Sequence, residues 1–251
     1  MSVGTDAGTR FVRRLQIPES APRNGYPFDL PVVSRLVESG GLSFAPGVTF
    51  FVGENGSGKS TLVEAVAVAA RLNAEGGSQH YRFTTRSTES ELGDHVLLTW
   101  GPEKPRSRFF LRAESFYNVA TNTEELGRAQ VELLGGVSPH ERSHGESFVD
   151  LIRHRFFPGG LYLMDEPEAA LSPRGCLAVM ALMAELVADG CQFIVATHSP
   201  ILLALPGATI YEVDEDGDID TVAYDDALPV RLTRDFLAEP ARYLRHLLPS
   251  D

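Results

Sequence analysis

Gly53-Glu54-Asn55-Gly56-Ser57-Gly58-Lys59-Ser60 decides how this chain is read. The stretch fits G-x-x-x-x-G-K-[ST], a P-loop that cradles phosphate groups. An apolar run, Val48-Thr49-Phe50-Phe51-Val52, precedes it and predicts a buried strand. Thr61-Leu62-Val63-Glu64-Ala65-Val66-Ala67 follows and predicts a helix reaching to about Asn73. The three glycines let the backbone turn sharply and approach phosphate closely. Successive N–H groups then face one concavity at the positive end of a helix. Glu54, Asn55 and Ser57 complete the loop's phosphate-facing backbone. Lys59 supplies a point charge for β- and γ-phosphates, Ser60 a hydroxyl for Mg²⁺, and Thr61 a group for the α-phosphate. A glycine-rich turn with a surface lysine is the bland alternative, and the strand–loop–helix context weighs against it.

The composition bounds what surrounds this loop. The chain has 251 residues, 43% of them hydrophobic, which suits one globular domain with a smaller subdomain. It carries 22 Lys+Arg against 34 Asp+Glu, a net charge of −12, so it is not a general nucleic-acid binder. Arginines cluster over 106–112 and 153–155, where a local basic patch would fall. Two cysteines, Cys176 and Cys191, sit in apolar surroundings with no metal-ligand spacing and predict reduced core thiols in a cytoplasmic protein. The N-terminal residues lack an apolar signal core, and no run is long enough to span a bilayer. The expectation is a soluble protein without direct membrane insertion, which needs a partner subunit for any membrane role.

Strand and helix patterns alternate along the chain. Strands are expected over 11–17, 42–44, 96–100, 108–112, 161–164 and 193–196, with a hairpin over 209–223 turning at Asp216-Gly217. Helices are expected over 31–39, stopped by Gly40-Gly41, and over 173–188. Residues 76–94 are polar and predict a long loop. Residues 117–155 predict a helical subdomain inserted in the core, and 233–248 a terminal helical tail that Pro240 kinks or divides. The order points to an α/β fold with a mostly parallel sheet covered on both faces.

Two more strand ends carry chemistry. Leu161-Tyr162-Leu163-Met164-Asp165-Glu166 is an apolar strand ending in two acids, the Walker B pattern of P-loop proteins. One carboxylate, Asp165, stays ionised in the metal shell, while its neighbour Glu166 faces and activates the attacking water. Without the upstream P-loop, two acids capping the next helix would explain the same residues equally well. Phe193-Ile194-Val195-Ala196-Thr197-His198-Ser199-Pro200 is a further strand ending in polar residues. Parallel strands deliver their carboxyl ends to the ligand-binding edge of a sheet, so His198 is expected near a γ-phosphate oxygen or the water. A structural histidine is the competing reading. Glu166, His198 and Lys59 are thus the catalytic candidates, and Ser60 and Asp165 the metal ligands.

P-loop, Asp165-Glu166-Pro167 and His198, in this order, resemble the ABC-type ATPases over nearly the whole chain. The resemblance implies ATP and Mg²⁺ as ligands, a P-loop NTPase fold over residues 1–251, and ATP hydrolysis. It also implies a signature segment before Walker B, where Arg142-Ser143-His144-Gly145-Glu146-Ser147 stands. Ser143 and Gly145 match the family's serine and second glycine, while His144 and Glu146 depart from it. In the family this segment heads a helix facing the γ-phosphate of a second protomer, which implies an ATP-dependent homodimer; an ordinary N-capped helix is the alternative. No glutamine occupies the Q-loop position, where Glu114 is either a metal-side or water-side ligand or a solvated acid. Ser172 replaces the usual D-loop aspartate. Tyr26 or Phe28 could stack on adenine, or either ring could pack in the core.

E-P-E-x-x-L-S-P with T-H-S-P looks more like soluble predicted ATPases near the SMC, RecF and OLD groups than like transporter subunits. The first expectation is therefore a stand-alone ATPase that dimerises on ATP as a switch, in DNA maintenance or defence, with a nucleic-acid or protein partner open. The alternatives are the nucleotide-binding subunit of an ABC transporter and a nearly inactive ATP-dependent scaffold. The interval between P-loop and signature is too short for a long coiled-coil arm.

Overall fold

The computed structural model describes residues 10–73, 91–113 and 144–247. The P-loop strand β3 (Val48–Gly53) lies inside a six-stranded sheet. It is flanked by β7 (Gln192–Ala196) and β8 (Thr209–Val213), both parallel to it. Beyond β7 come β6 (Gly160–Asp165) and then β5 (Ser107–Arg112), again parallel. The opposite edge is β9 (Ile219–Val222), which is antiparallel to β8.

Every residue of β3, β6 and β7 is buried, which is why these strands read as unbroken apolar runs. Alternation still sorts their side chains between two cores. Phe51, Leu161, Leu163, Ile194 and Ala196 face one core, and Phe50, Val52, Tyr162, Met164, Phe193 and Val195 the other. The first core is closed by α1 (Pro31–Glu38) and by α2 (Lys59–Ala69), the helix that leaves the P-loop. The second is closed by α4 (His144–Arg155) and α5 (Pro173–Ala188). Between α2 and α4 in the chain lies the short α3 (Glu91–His95).

A second, antiparallel sheet completes the first core. It has the order β2-β1-β4, from β1 (Val12–Gln16), β2 (Leu42–Ser43) and β4 (Leu97–Trp100). One buried side chain couples it to the main sheet. The Gln192 amide accepts from the Val12 N–H and donates to the Val12 carbonyl, both at 2.9 Å, so it mimics a paired strand. The remaining elements follow β7: α6 (Pro200–Leu203), then the β8–β9 hairpin, α7 (Leu228–Ala238) and α8 (Pro240–Leu247).

The structure departs from the sequence reading in several places. α2 stops at Ala69 rather than near 73, because Arg71 adopts a left-handed φ of 61°. Residues 91–94, expected in a loop, belong to α3. β4 and β5, adjacent in sequence, join different sheets. Part of the basic clusters is consumed internally: Arg108 lies over the Trp100 ring and donates to the Ala70 carbonyl, and Arg112 is half-buried in an ion network, whereas Arg106 and Arg153 stay exposed. Pro240 divides the tail by opening α8, but the helical region starts earlier, at Leu228. Of the expected helical subdomain over 117–155, residues 117–143 lie outside the described residues. Both cysteines are free and buried, and burial pushes both thiols up, as inert core thiols require.

Replacing Gln192 by Ala strands a buried N–H and a buried carbonyl of Val12. The expected cost is about 2–4 kcal/mol, read as a lower urea midpoint. An unchanged midpoint would show that the two sheets do not depend on this amide.

Candidate active site

The P-loop hangs between β3 and α2 and is held by its glycines. Gly53 has φ 147°, and a Cβ there would meet the Val213 carbonyl oxygen at 2.2 Å. Gly58 caps α2 at φ 92°, and its Cβ would press on Val32 Cγ1 of α1 at 2.6 Å. The loop is thus wedged between β8 and α1, where no side chain fits. Lys59 is buried, and its Nζ curls back to donate to the Glu54 carbonyl at 2.8 Å. Burial pulls its ammonium below the ordinary lysine value, against the opposing pull of the Glu166, Asp165, Glu54 and Glu168 carboxylates.

Asp165 closes β6, directly across from Ala196 of β7. Arg112, its neighbour in β5, approaches it with Nε 3.3 Å from Asp165 Oδ2. The same guanidinium reaches Glu64 Oε2 of α2 with Nη1 at 3.1 Å. Glu64 lies four positions after Ser60, on the same face of α2. The triad therefore ties the helix that carries Ser60 to the strand that carries Asp165. Sequence reading missed Glu64 and Arg112. The available signal was an acid inside an otherwise apolar helix and an arginine ending a buried strand.

Glu166 leaves β6 in a left-handed conformation, φ 46°, with its N–H donating to the Ala196 carbonyl at 2.9 Å. This turns its side chain out of the sheet. His198 follows the end of β7, which is fastened to β3 through Thr197 N–H donating to the Phe51 carbonyl at 3.1 Å. His198 Nε2 stands 3.9 Å from Glu166 Oε1; the two side chains are 34% and 43% exposed, while the Nε2 atom itself is shielded from solvent.

Other sequence candidates separate clearly. Phe28 is buried and meets His95 edge-on, so its ring belongs to the core. Tyr26 is 66% exposed, and its hydroxyl lies 3.4 Å from Thr61 Oγ1 beside the P-loop. Gly145 lies in the first turn of α4 against the segment after Walker B; a Cβ there would sit 3.4 Å from the Ala170 carbonyl oxygen. Ser172 caps α5, accepting from Gly175 N–H at 3.2 Å. Ser143 and Glu114 lie outside the described residues.

This geometry defines a P-loop nucleoside triphosphatase site. The AAA domain family matches residues 37–95, which span the loop and α2. The macrolide export ATP-binding/permease protein MacB of Hahella chejuensis is 29% identical over 205 residues, covering 71% of this chain and 30% of that protein. The chain thus spans less than a third of that exporter's length. The cytochrome c biogenesis ATP-binding export protein CcmA of Mesorhizobium japonicum is 28% identical, covering 69% of this chain and 92% of that protein. Among solved structures, a nucleotide-free ATP-binding cassette from an ABC transporter aligns with a TM-score of 0.48 at 17% identity, over 91% of this chain and 96% of that one. The motif order and the sequence relatives make the chain similar to ABC-type P-loop ATPases.

Arg112→Met leaves the carboxylates of Glu64 and Asp165 facing one another without this cation. A stability loss of about 3–5 kcal/mol is expected, measured by thermal unfolding. Adding Glu64→Leu to the same chain should restore part of it.

Proposed function

We propose that this chain binds ATP with Mg²⁺, hydrolyses it, and uses ATP-driven dimerisation as a switch in the cytoplasm. One observation carries the reading: Lys59, Asp165, Glu166 and His198 converge at the carboxyl ends of β3, β6 and β7. The donor set supports the ligands. Glycines that exclude a Cβ at Gly53 and Gly58 suit backbone contact with phosphate. The Ser60 hydroxyl and the Asp165 carboxylate are hard oxygen donors of the kind Mg²⁺ takes. When bound, the ion neutralises charge on the β- and γ-phosphates.

The residues then divide the work. Lys59 exchanges the Glu54 carbonyl for phosphate oxygens. Glu166 takes a proton from the water as its oxygen bonds to the γ-phosphorus and the bond to the β–γ bridging oxygen breaks. His198 offers a ring N–H to the γ-phosphate or the water. Tyr26 stacks on adenine in this reading, which its exposure beside Thr61 supports. Glu54, Asn55, Gly56 and Ser57 wrap the phosphates.

A second copy completes the site through Ser143 and Gly145, at the head of α4. In this reading the segment 117–155, of which α4 is the described part, is the subdomain that presents these residues, within one ATPase domain over 1–251. The work driven by the switch is DNA maintenance or defence, a reading supported by the likeness of the E-P-E-x-x-L-S-P and T-H-S-P motifs to soluble head-like ATPases. A specific finding favours a second reading, a transporter's nucleotide-binding subunit: the sequence relatives are named export ATP-binding proteins. Among the described residues no helix is long and apolar enough to cross a membrane, so the spanning part of such a transporter lies outside them. Co-purification with a membrane protein decides for it.

Lys59→Ala is expected to weaken ATP binding at least tenfold, about the 1.4 kcal/mol of a charge-assisted contact, in a fluorescent-nucleotide titration; unchanged affinity contradicts the phosphate role. Glu166→Gln should bind ATP, lose nearly all turnover and elute as a dimer with ATP and a monomer without it. In the same sizing experiment, adding Ser143→Arg should leave monomers that still bind ATP. Dimers of undiminished strength in that double variant would sink the shared site.

A further inference from the structure

We infer that Glu168 is a positioning residue that holds His198 in register for hydrolysis and links it to the segment behind Walker B. The inference rests on the hydrolytic reading of the site. Pro167–Ala170 forms one tight turn directly after Glu166. From this turn the Glu168 side chain crosses to the end of β7. Its Oε2 accepts from the Thr197 hydroxyl at 2.7 Å, and its Oε1 accepts from the His198 backbone N–H at 2.5 Å. The Thr197 oxygen in turn accepts from the Ser199 N–H at 3.0 Å. One carboxylate thereby orders the donors of three consecutive residues around the histidine.

The chemistry of the group matters. Two donors converge on it, so it must accept with both oxygens. An ionised carboxylate does this, whereas a glutamine would turn an NH₂ toward one of the donors. Hydrogen bonds to a carboxylate are also shorter and stronger than neutral ones. Because both oxygens are engaged, Glu168 is not the base. That role falls to Glu166, whose side chain faces outward.

The two acids of Glu166-Pro167-Glu168 divide their targets. Glu166 presents its carboxylate to the His198 ring, while Glu168 fixes the His198 backbone. The clamp also faces the other way. The Glu168 carbonyl accepts from Leu171 N–H at 3.0 Å, just before Ser172 caps α5, and Ala170 adjoins Gly145 at the head of α4. A shift of the 167–172 segment would therefore displace His198 through a single side chain.

The experiment is a double-mutant cycle of Glu168→Gln with His198→Ala in the full chain, reading kcat and KM for ATP. Glu168→Gln alone should lower kcat between about tenfold and a hundredfold, the range for a misplaced catalytic group, with KM within about twofold. In the His198→Ala background it should cost less than about twofold more. Multiplicative losses, or Glu168→Gln turnover within about twofold of the parent, overturn the inference. A second readout needs neither nucleotide nor turnover: the His198 backbone amide resonance should move upfield in Glu168→Gln, and an unmoved amide overturns the clamp. Thr197→Val, which removes only one donor, should give a smaller kcat loss and serves the same cycle if Glu168→Gln does not fold. Parent-level turnover by Glu166→Gln would instead defeat the hydrolytic reading, while the amide shift still judges the clamp.

Discussion

Parallel pairing of β7 with β6 on one side and β3 on the other brings three strand ends to one edge, and the site depends on this. Ala196 lies opposite both Phe51 and Asp165, so the loop after β3, the acids after β6 and the histidine after β7 emerge at the same level. A slip of one residue in either pairing would turn every side chain of the slipped strand toward the opposite core. The register is secured because all positions of these strands are buried and their side chains divide between two apolar layers. Glycine at 53 then lets β3 end against the Val213 carbonyl, where a side chain could not fit.

Collecting charge at such an edge creates an electrostatic problem, which the fold answers locally. Asp165 and Glu64 are both largely buried, and Arg112 stands between them. Lys59 is buried too, and four nearby carboxylates oppose the desolvation of its ammonium. Glu168 is satisfied by a hydroxyl and a backbone N–H rather than by a cation. This leaves Glu166 and His198 as the outward-facing pair. Structural charges are paired inward, and the Glu166 and His198 side chains stay partly exposed.

Much of this was legible because local rules operate strongly here. The glycine pattern, the apolar runs and the acids at 165–166 predicted β3, α2, β6 and β7, and the Asp216-Gly217 turn predicted the β8–β9 hairpin. What escaped was set by contacts between distant segments. β4 and β5 look like consecutive strands, yet one pairs with β1 and the other with β6, because each takes the edge its neighbours leave open. The arginines of 106–112 looked like a surface patch, yet Arg112 meets a helix residue 48 positions away. Tyr26 and Phe28 were equivalent in sequence; packing sent Phe28 to the core and left Tyr26 beside Thr61.

By itself the sequence determined that a phosphate-binding loop, a pair of acids and a histidine each follow a buried strand, since residue type and spacing decide those elements locally. Only the tertiary structure decided which strands adjoin, which acid faces the histidine and which one grips its backbone. Glu166 and Glu168 are two residues apart and chemically alike. A left-handed turn at the first and a tight turn after it send their carboxylates to different targets, and such directions follow from the folded backbone.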